Sequence, residues 1–125
     1  MSSINKFCVM GRLVRDPELK ELENGNKVAN ISLAVDRDYK DKEGNKITDF
    51  LNYSLWNKDA ERICEFSKKG AIVCLEGSFG DKEIEIGDGK KIHTFNPIVE
   101  TYRHIANAKN MDSEVENTKE TEMEK

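Results

Sequence analysis

The chain has 125 residues, 37% hydrophobic and 35% charged, with 20 basic against 24 acidic side chains and a formal net charge of −4. That length suits one domain with a real core and excludes a multidomain machine, and no apolar run approaches the roughly 20 residues of a membrane-spanning helix. The acidic balance also excludes the simplest electrostatic mark of a nucleic-acid binder, so any basic surface has to arise by segregation of charge.

In chain order, the start Met1-Ser2-Ser3-Ile4-Asn5-Lys6 lacks the basic, apolar and small-residue order of a signal peptide, so the cytosol is the expected compartment. Residues 4–13 read as a strand that is apolar on both parities near its middle, with a bulge or sharp bend at Gly11. Asp16-Pro17-Glu18 ends it, and Asn24-Gly25 supplies the positive φ angles of a tight turn. Residues 28–36 alternate, with Ile31, Leu33 and Val35 on one face and Asn30 and Ser32 on the other, as a half-buried strand does. A charged loop over 41–46 leads to strand formers at 49–56. One helix follows: Asn57 is placed to cap it, Asp59 and Glu61 suit its N-terminal dipole, Lys68 and Lys69 its C-terminus, and Gly70 ends it. Its inward stripe is Ala60, Ile63, Cys64 and Ser67, with Phe66 at the margin. Strands at 71–78 and about 94–102 close the body, joined by a polar hairpin with Gly87-Asp88-Gly89 as its turn.

After about Ala106 the composition changes. Residues 107–125 hold six acids, three bases, no aromatic and a single branched aliphatic, Val115, which implies a disordered acidic tail and leaves 17 bases and 18 acids in residues 1–106. Three strands, one helix and two more strands make an all-β fold with one helix, the order of the five-stranded Greek-key OB barrel, although element order alone leaves other small β folds open. Cys8, Cys64 and Cys74 are odd in number and form no C-x-x-C pair, so they read as small core hydrophobes rather than a disulfide framework or a zinc site. His93 and His104 read as surface or edge-strand residues remote from any nucleophile.

The 49–56 strand carries the functional signal. Side chains alternate across a strand, so Leu51, Tyr53 and Leu55 share one face while Phe50, Asn52, Ser54 and Trp56 share the other. Large aromatics among small polar groups suit stacking of unpaired bases, each worth about 1–3 kcal/mol. The same parity equally suits rings packed beneath the helix or the long hairpin.

Ordered along the chain, Asn5-Lys6, Gly11-Arg12-Leu13, Asp16-Pro17-Glu18, Asn24-Gly25, Val28-Ala29-Asn30, Leu33-Ala34-Val35, Thr48-Asp49-Phe50, Trp56-Asn57-Lys58, Ala60-Glu61, Lys69-Gly70 and Glu76-Gly77 closely resemble bacterial single-stranded DNA-binding proteins. The likeness spans about residues 4–104. It implies a non-enzymatic protein without cofactor or metal that coats single-stranded DNA with little sequence preference, protecting it in replication, recombination and repair. The implied stacking platforms are Tyr39, Phe50 and Trp56; the fourth position of that series holds Ile84, which has no ring to stack. Implied phosphate contacts are Lys6, Arg12, Arg15, Arg37, Lys40, Lys58 and Lys82. A homotetramer assembled partly through first-strand pairing and a nucleoid-associated location also follow from the resemblance. The ending Glu122-Met123-Glu124-Lys125 departs from the acidic run closed by proline and phenylalanine through which such proteins dock replication and repair enzymes, so that docking is not expected. Pro97 implies an edge strand or a bulge. Two rivals stay open: an OB-type protein-interaction module, and a small nuclease using Asp36, Asp38 and Asp49 to hold a metal.

Overall fold

A computed structural model describes residues 2–108. The expected acidic tail over 107–125 therefore lies, beyond Ala108, outside the described residues. Within them the order is β1 (Phe7–Leu13), β2 (Leu19–Glu21), β3 (Lys27–Lys40), β4 (Lys46–Trp56), α1 (Lys58–Phe66), β5 (Ile72–Gly87) and β6 (Lys90–Ala106). No helix among them is long and apolar enough to cross a membrane.

All pairings are antiparallel, in the order β2-β3-β1-β5-β6 with β4 on the other side of β3. This is the expected barrel architecture, in which β4 faces β6 without a hydrogen-bonded ladder between them. The short β2 was not foreseen, because three exposed residues carry no hydrophobic period; the turn at Asn24-Gly25 folds it onto β3, with Gly25 at φ 88.

The core is built from Leu13, Ile31, Leu33, Leu55, Ile63, Val73 and Leu75, each at most 2% exposed, with Ala29, Ala60 and Ala71 filling the narrow places. Alternation in β3 holds only in part: Ile31 and Leu33 are buried and Asn30 is exposed as read, but Ser32, placed on the polar face, is also buried, and Val35 is only half-buried. In β4 the inward face tapers from buried Leu55 through half-buried Tyr53 to exposed Leu51, since the β3–β4 hairpin projects beyond the barrel.

β1 keeps an unbroken register with β5 through Gly11, without the bulge or sharp bend expected there. It pairs with β5 over Phe7–Arg12 and meets β3 only at Arg12 and Leu13, so residues 7–10 have no ladder on their second edge among the described residues. A Cβ at Gly11 would stand 2.9 Å from the Ala34 carbonyl oxygen, which is why the crossing needs glycine. Pro97 sits on β6, an edge strand paired only with β5.

Asn57 stands at the N-cap position of α1, but its side chain makes no capping hydrogen bond. Its φ of 52 turns the chain out of β4, and its side-chain Oδ1 accepts the Lys27 amide at 3.1 Å while its own N–H donates to the Lys27 carbonyl at 2.8 Å. The residue latches the helix start to β3. The helix ends at Phe66, short of Gly70: Lys68 reaches back to the Cys64 carbonyl at 3.3 Å, whereas the Lys69 amide is taken by Asp16 at 2.6 Å.

Two further expectations are corrected. Cys74 is buried and Cys64 half-buried, but Cys8 is exposed on the outer face of β1 and is no core residue. His93 is exposed and bound to Asp81 at 2.8 Å, but His104 is half-buried, with Nδ1 2.8 Å from Ser67 Oγ, so it does meet a hydroxyl. Ser67 is fully buried and also hydrogen-bonded to Tyr102, so this trio ties α1 to β6 where no substrate can reach.

Candidate nucleic-acid interface

The residues read as a polar hairpin between β5 and β6 are strand almost to the tip. The arm continues the ladder through Ile84 opposite Ile92 to a turn in which Gly87, Asp88 and Gly89 all have positive φ. Charges that suggested a loop serve the ladder as cross-strand pairs, His93 with Asp81 and Lys91 with Glu83. The arm reaches over the polar face of β3 and β4 and closes one side of a cleft of about 700 Å³.

That cleft gathers Trp56, Arg15, Lys82 and Ile84 from the positions singled out in the sequence, with Asn30, Asn52 and Ser54 along its β3–β4 wall. Phe50, six residues before Trp56, continues the same face of β4 beyond the cleft. Neither ring is sealed in: Phe50 is 64% exposed and Trp56 49%. Of the two packings open to the parity pattern, the exposed one holds.

Tyr39 is exposed near the end of β3, within the stretch between Asp36 and Lys40 where the β3–β4 register is irregular. Its hydroxyl accepts a 3.0 Å hydrogen bond from Arg37, whose guanidinium also donates to both Asp49 oxygens at 2.8 and 3.1 Å. Arg37 hydrogen bonding holds the Asp49 carboxyl below its ordinary range. Hydrogen bonds from Thr48 and then Lys46 do the same for Asp36. Two of the three acids considered for a metal are thus each engaged by a cation.

Lys6, Arg12, Arg15, Lys40, Lys58 and Lys82 are all exposed, and among the described residues Arg37 alone of the seven candidate cations is ion-paired. Arg15 and Lys82 enter the cleft; Lys6, Arg12, Lys40 and Lys58 lie outside its lining.

Sequence reading missed Phe95. It is 80% exposed, lines the cleft, and ends a chain of ring contacts running Tyr53–Phe7 at 5.6 Å, Phe7–Phe79 at 5.2 Å and Phe79–Phe95 at 5.6 Å. The signal was available: Phe95 stands between Thr94 and Asn96, a large aromatic flanked by small polar residues.

A small β barrel with exposed aromatics, unpaired cations and a polar strand wall under a projecting arm belongs to the OB class, whose sheet faces and loops serve oligonucleotide recognition. The family model described as the single-strand binding protein family matches residues 4–105, and the chain belongs to that family. Similar proteins include the single-stranded DNA-binding protein of Oceanobacillus iheyensis, 32% identical over 82% of this chain and 63% of its own length. Single-stranded DNA-binding protein 1 of Lactococcus lactis is 32% identical over 85% of this chain and 71% of its own. Single-stranded DNA-binding protein 3 of Listeria innocua is 32% identical over 86% and 67%. The chain therefore spans roughly 63% of the first of these relatives and somewhat more of the other two.

Proposed function

We propose that this chain binds single-stranded DNA with little sequence preference and protects it, without chemistry, during replication, recombination and repair. The observation that carries the reading is the open face of β4, where Phe50 and Trp56 stand exposed and Arg15 and Lys82 share the cleft with Trp56. Bases stack on Tyr39, Phe50 and Trp56, and Phe95 offers a further ring on the opposite wall of the cleft. Every base has a π-face, so such contacts tolerate any sequence. Lys6, Arg12, Arg15, Arg37, Lys40, Lys58 and Lys82 track the phosphates, and Arg37 also donates a hydrogen bond to the Tyr39 hydroxyl.

We assign the binding unit to residues 1–106 and its working state to a homotetramer in the cytoplasm, associated with the nucleoid. The unladdered edge of β1 over residues 7–10 supports assembly, since an unpaired strand edge is a template for pairing with a second copy. Trp56 is the only tryptophan, so intrinsic fluorescence reports directly on the stacking face. Titration with oligo-dT is expected to quench it. Observed affinity should fall with salt at a log–log slope of about 0.7 per neutralised phosphate, and mass measured in the same samples tests the tetramer. Unchanged fluorescence, or affinity indifferent to salt, would favour an OB-type module whose aromatics meet protein.

A further inference from the structure

The face of β1 and β5 turned away from the core holds a group of ligand atoms that the DNA-binding reading does not use. Phe7 and Val9 pack inward, so Cys8 projects outward; Val73 and Leu75 are core residues, so Cys74 and Glu76 project to that same outer side. Register places Cys8 opposite Glu76 and Met10 opposite Cys74. The two cysteines are thus diagonal neighbours, with their sulfurs 3.9 Å apart, and a Glu76 carboxylate oxygen lies within 4.8 Å of both.

These distances match a tetrahedral soft-metal centre. With zinc–thiolate bonds of about 2.3 Å at the tetrahedral angle, the two sulfurs stand about 3.8 Å apart. A disulfide fits less well, because diagonal pairs on antiparallel strands typically hold their Cα atoms about 7–8 Å apart, beyond the usual disulfide span of about 4.4–6.8 Å. A depression of about 480 Å³, lined by Cys8 and Glu76 together with Lys6, Glu100 and Thr101, opens beside the group and leaves room for a fourth ligand such as water. Arg103 lies across the ladder from Cys74. Two thiolates and a carboxylate around a divalent ion leave one net negative charge, which that guanidinium offsets.

We propose that Cys8, Cys74 and Glu76 form a binding site for a thiophilic divalent cation of the zinc type, clamping β1 to β5 on the outside of the barrel. Binding converts two thiols to thiolates, so each ion taken up releases two protons. The site lies apart from the cleft, but Cys8 falls within the β1 edge proposed for assembly, so mass is measured alongside every metal titration.

The test is titration of the reduced full-length chain with Co²⁺ as a spectroscopic stand-in, followed by displacement with Zn²⁺. One Co²⁺ per chain is expected, with a sulfur-to-metal charge-transfer band and tetrahedral d–d bands that Zn²⁺ abolishes. Cys8→Ser, at an exposed position on which the fold does not depend, should remove the charge-transfer intensity of one thiolate and weaken binding at least about tenfold; Glu76→Gln should weaken it while both sulfur contributions remain. Cys64→Ser should change neither. The proposal is overturned if only octahedral, sulfur-free cobalt spectra appear, if Cys8→Ser leaves the bands intact, or if the pair forms a disulfide with peroxide while the reduced chain takes up no metal.

Discussion

Truncating the two aromatics of β4 tests the stacking geometry most directly. Phe50 and Trp56 are six residues apart on one strand, which at the usual rise per residue separates them by about 20 Å, too far for a single base to touch both. Each ring should therefore hold its own base, and each alanine substitution should cost about 1–3 kcal/mol, or about 5- to 140-fold in affinity for oligo-dT at fixed salt. Because distant sites add, Phe50→Ala/Trp56→Ala should lose the product of the two single losses within about twofold. Stability separates the two variants: Trp56 lies opposite buried Val28 and shields it, whereas Phe50 lies opposite Ala34 and is more exposed, so only Trp56→Ala should also lower the thermal midpoint. Anisotropy of a labelled oligonucleotide reads the affinities without depending on the deleted tryptophan. The reasoning is refuted if both single variants bind within twofold of the parent, and the separate-base geometry fails if the double variant is no weaker than either single one.

Ile84→Trp places a ring on the arm across the cleft from Trp56 and should tighten oligo-dT binding by about fivefold or more in the same assay, an unchanged affinity counting against a DNA path along the arm. Gly77→Ala should lower stability by about 1–3 kcal/mol, seen as a thermal midpoint reduced by roughly 4–20 °C, because a Cβ there would stand 1.9 Å from the Ile98 carbonyl oxygen and would force β5 and β6 apart. Asp36 and Asp49 have carboxyls held below their ordinary value of 3.8, so what their partners contribute is present above that value and is lost as pH falls through the lower folded-state values. Thermal midpoints followed from about pH 5 to pH 2 should decline, and Asp49→Asn should make the decline shallower.

Much of the barrel was legible because its central elements obey simple periods. Ile31 and Leu33 alternate with Asn30, the helix presents Ala60 and Ile63 on one stripe, and Gly25 and the Gly87-Asp88-Gly89 turn stand where positive φ is required. The candidate platforms on β4 were legible for the same reason, since strand parity alone puts Phe50 and Trp56 on the polar side. Asn57 misled because capping preference is local, whereas its side chain is claimed by Lys27, 30 residues away.

By itself the amino-acid order determined the alternation, the turns and the single helix, which depend on neighbours within a few positions, and the family resemblance, which is a linear order of short motifs. The tertiary structure decided whether the β4 rings are covered, how far the β5–β6 arm extends, that Phe95 joins the cleft, and that Cys8 meets Cys74 across 66 positions of chain. These are matters of register between distant strands. A slip of one residue would send every side chain to the other face, and no local pattern records which long-range pairing lets the core close.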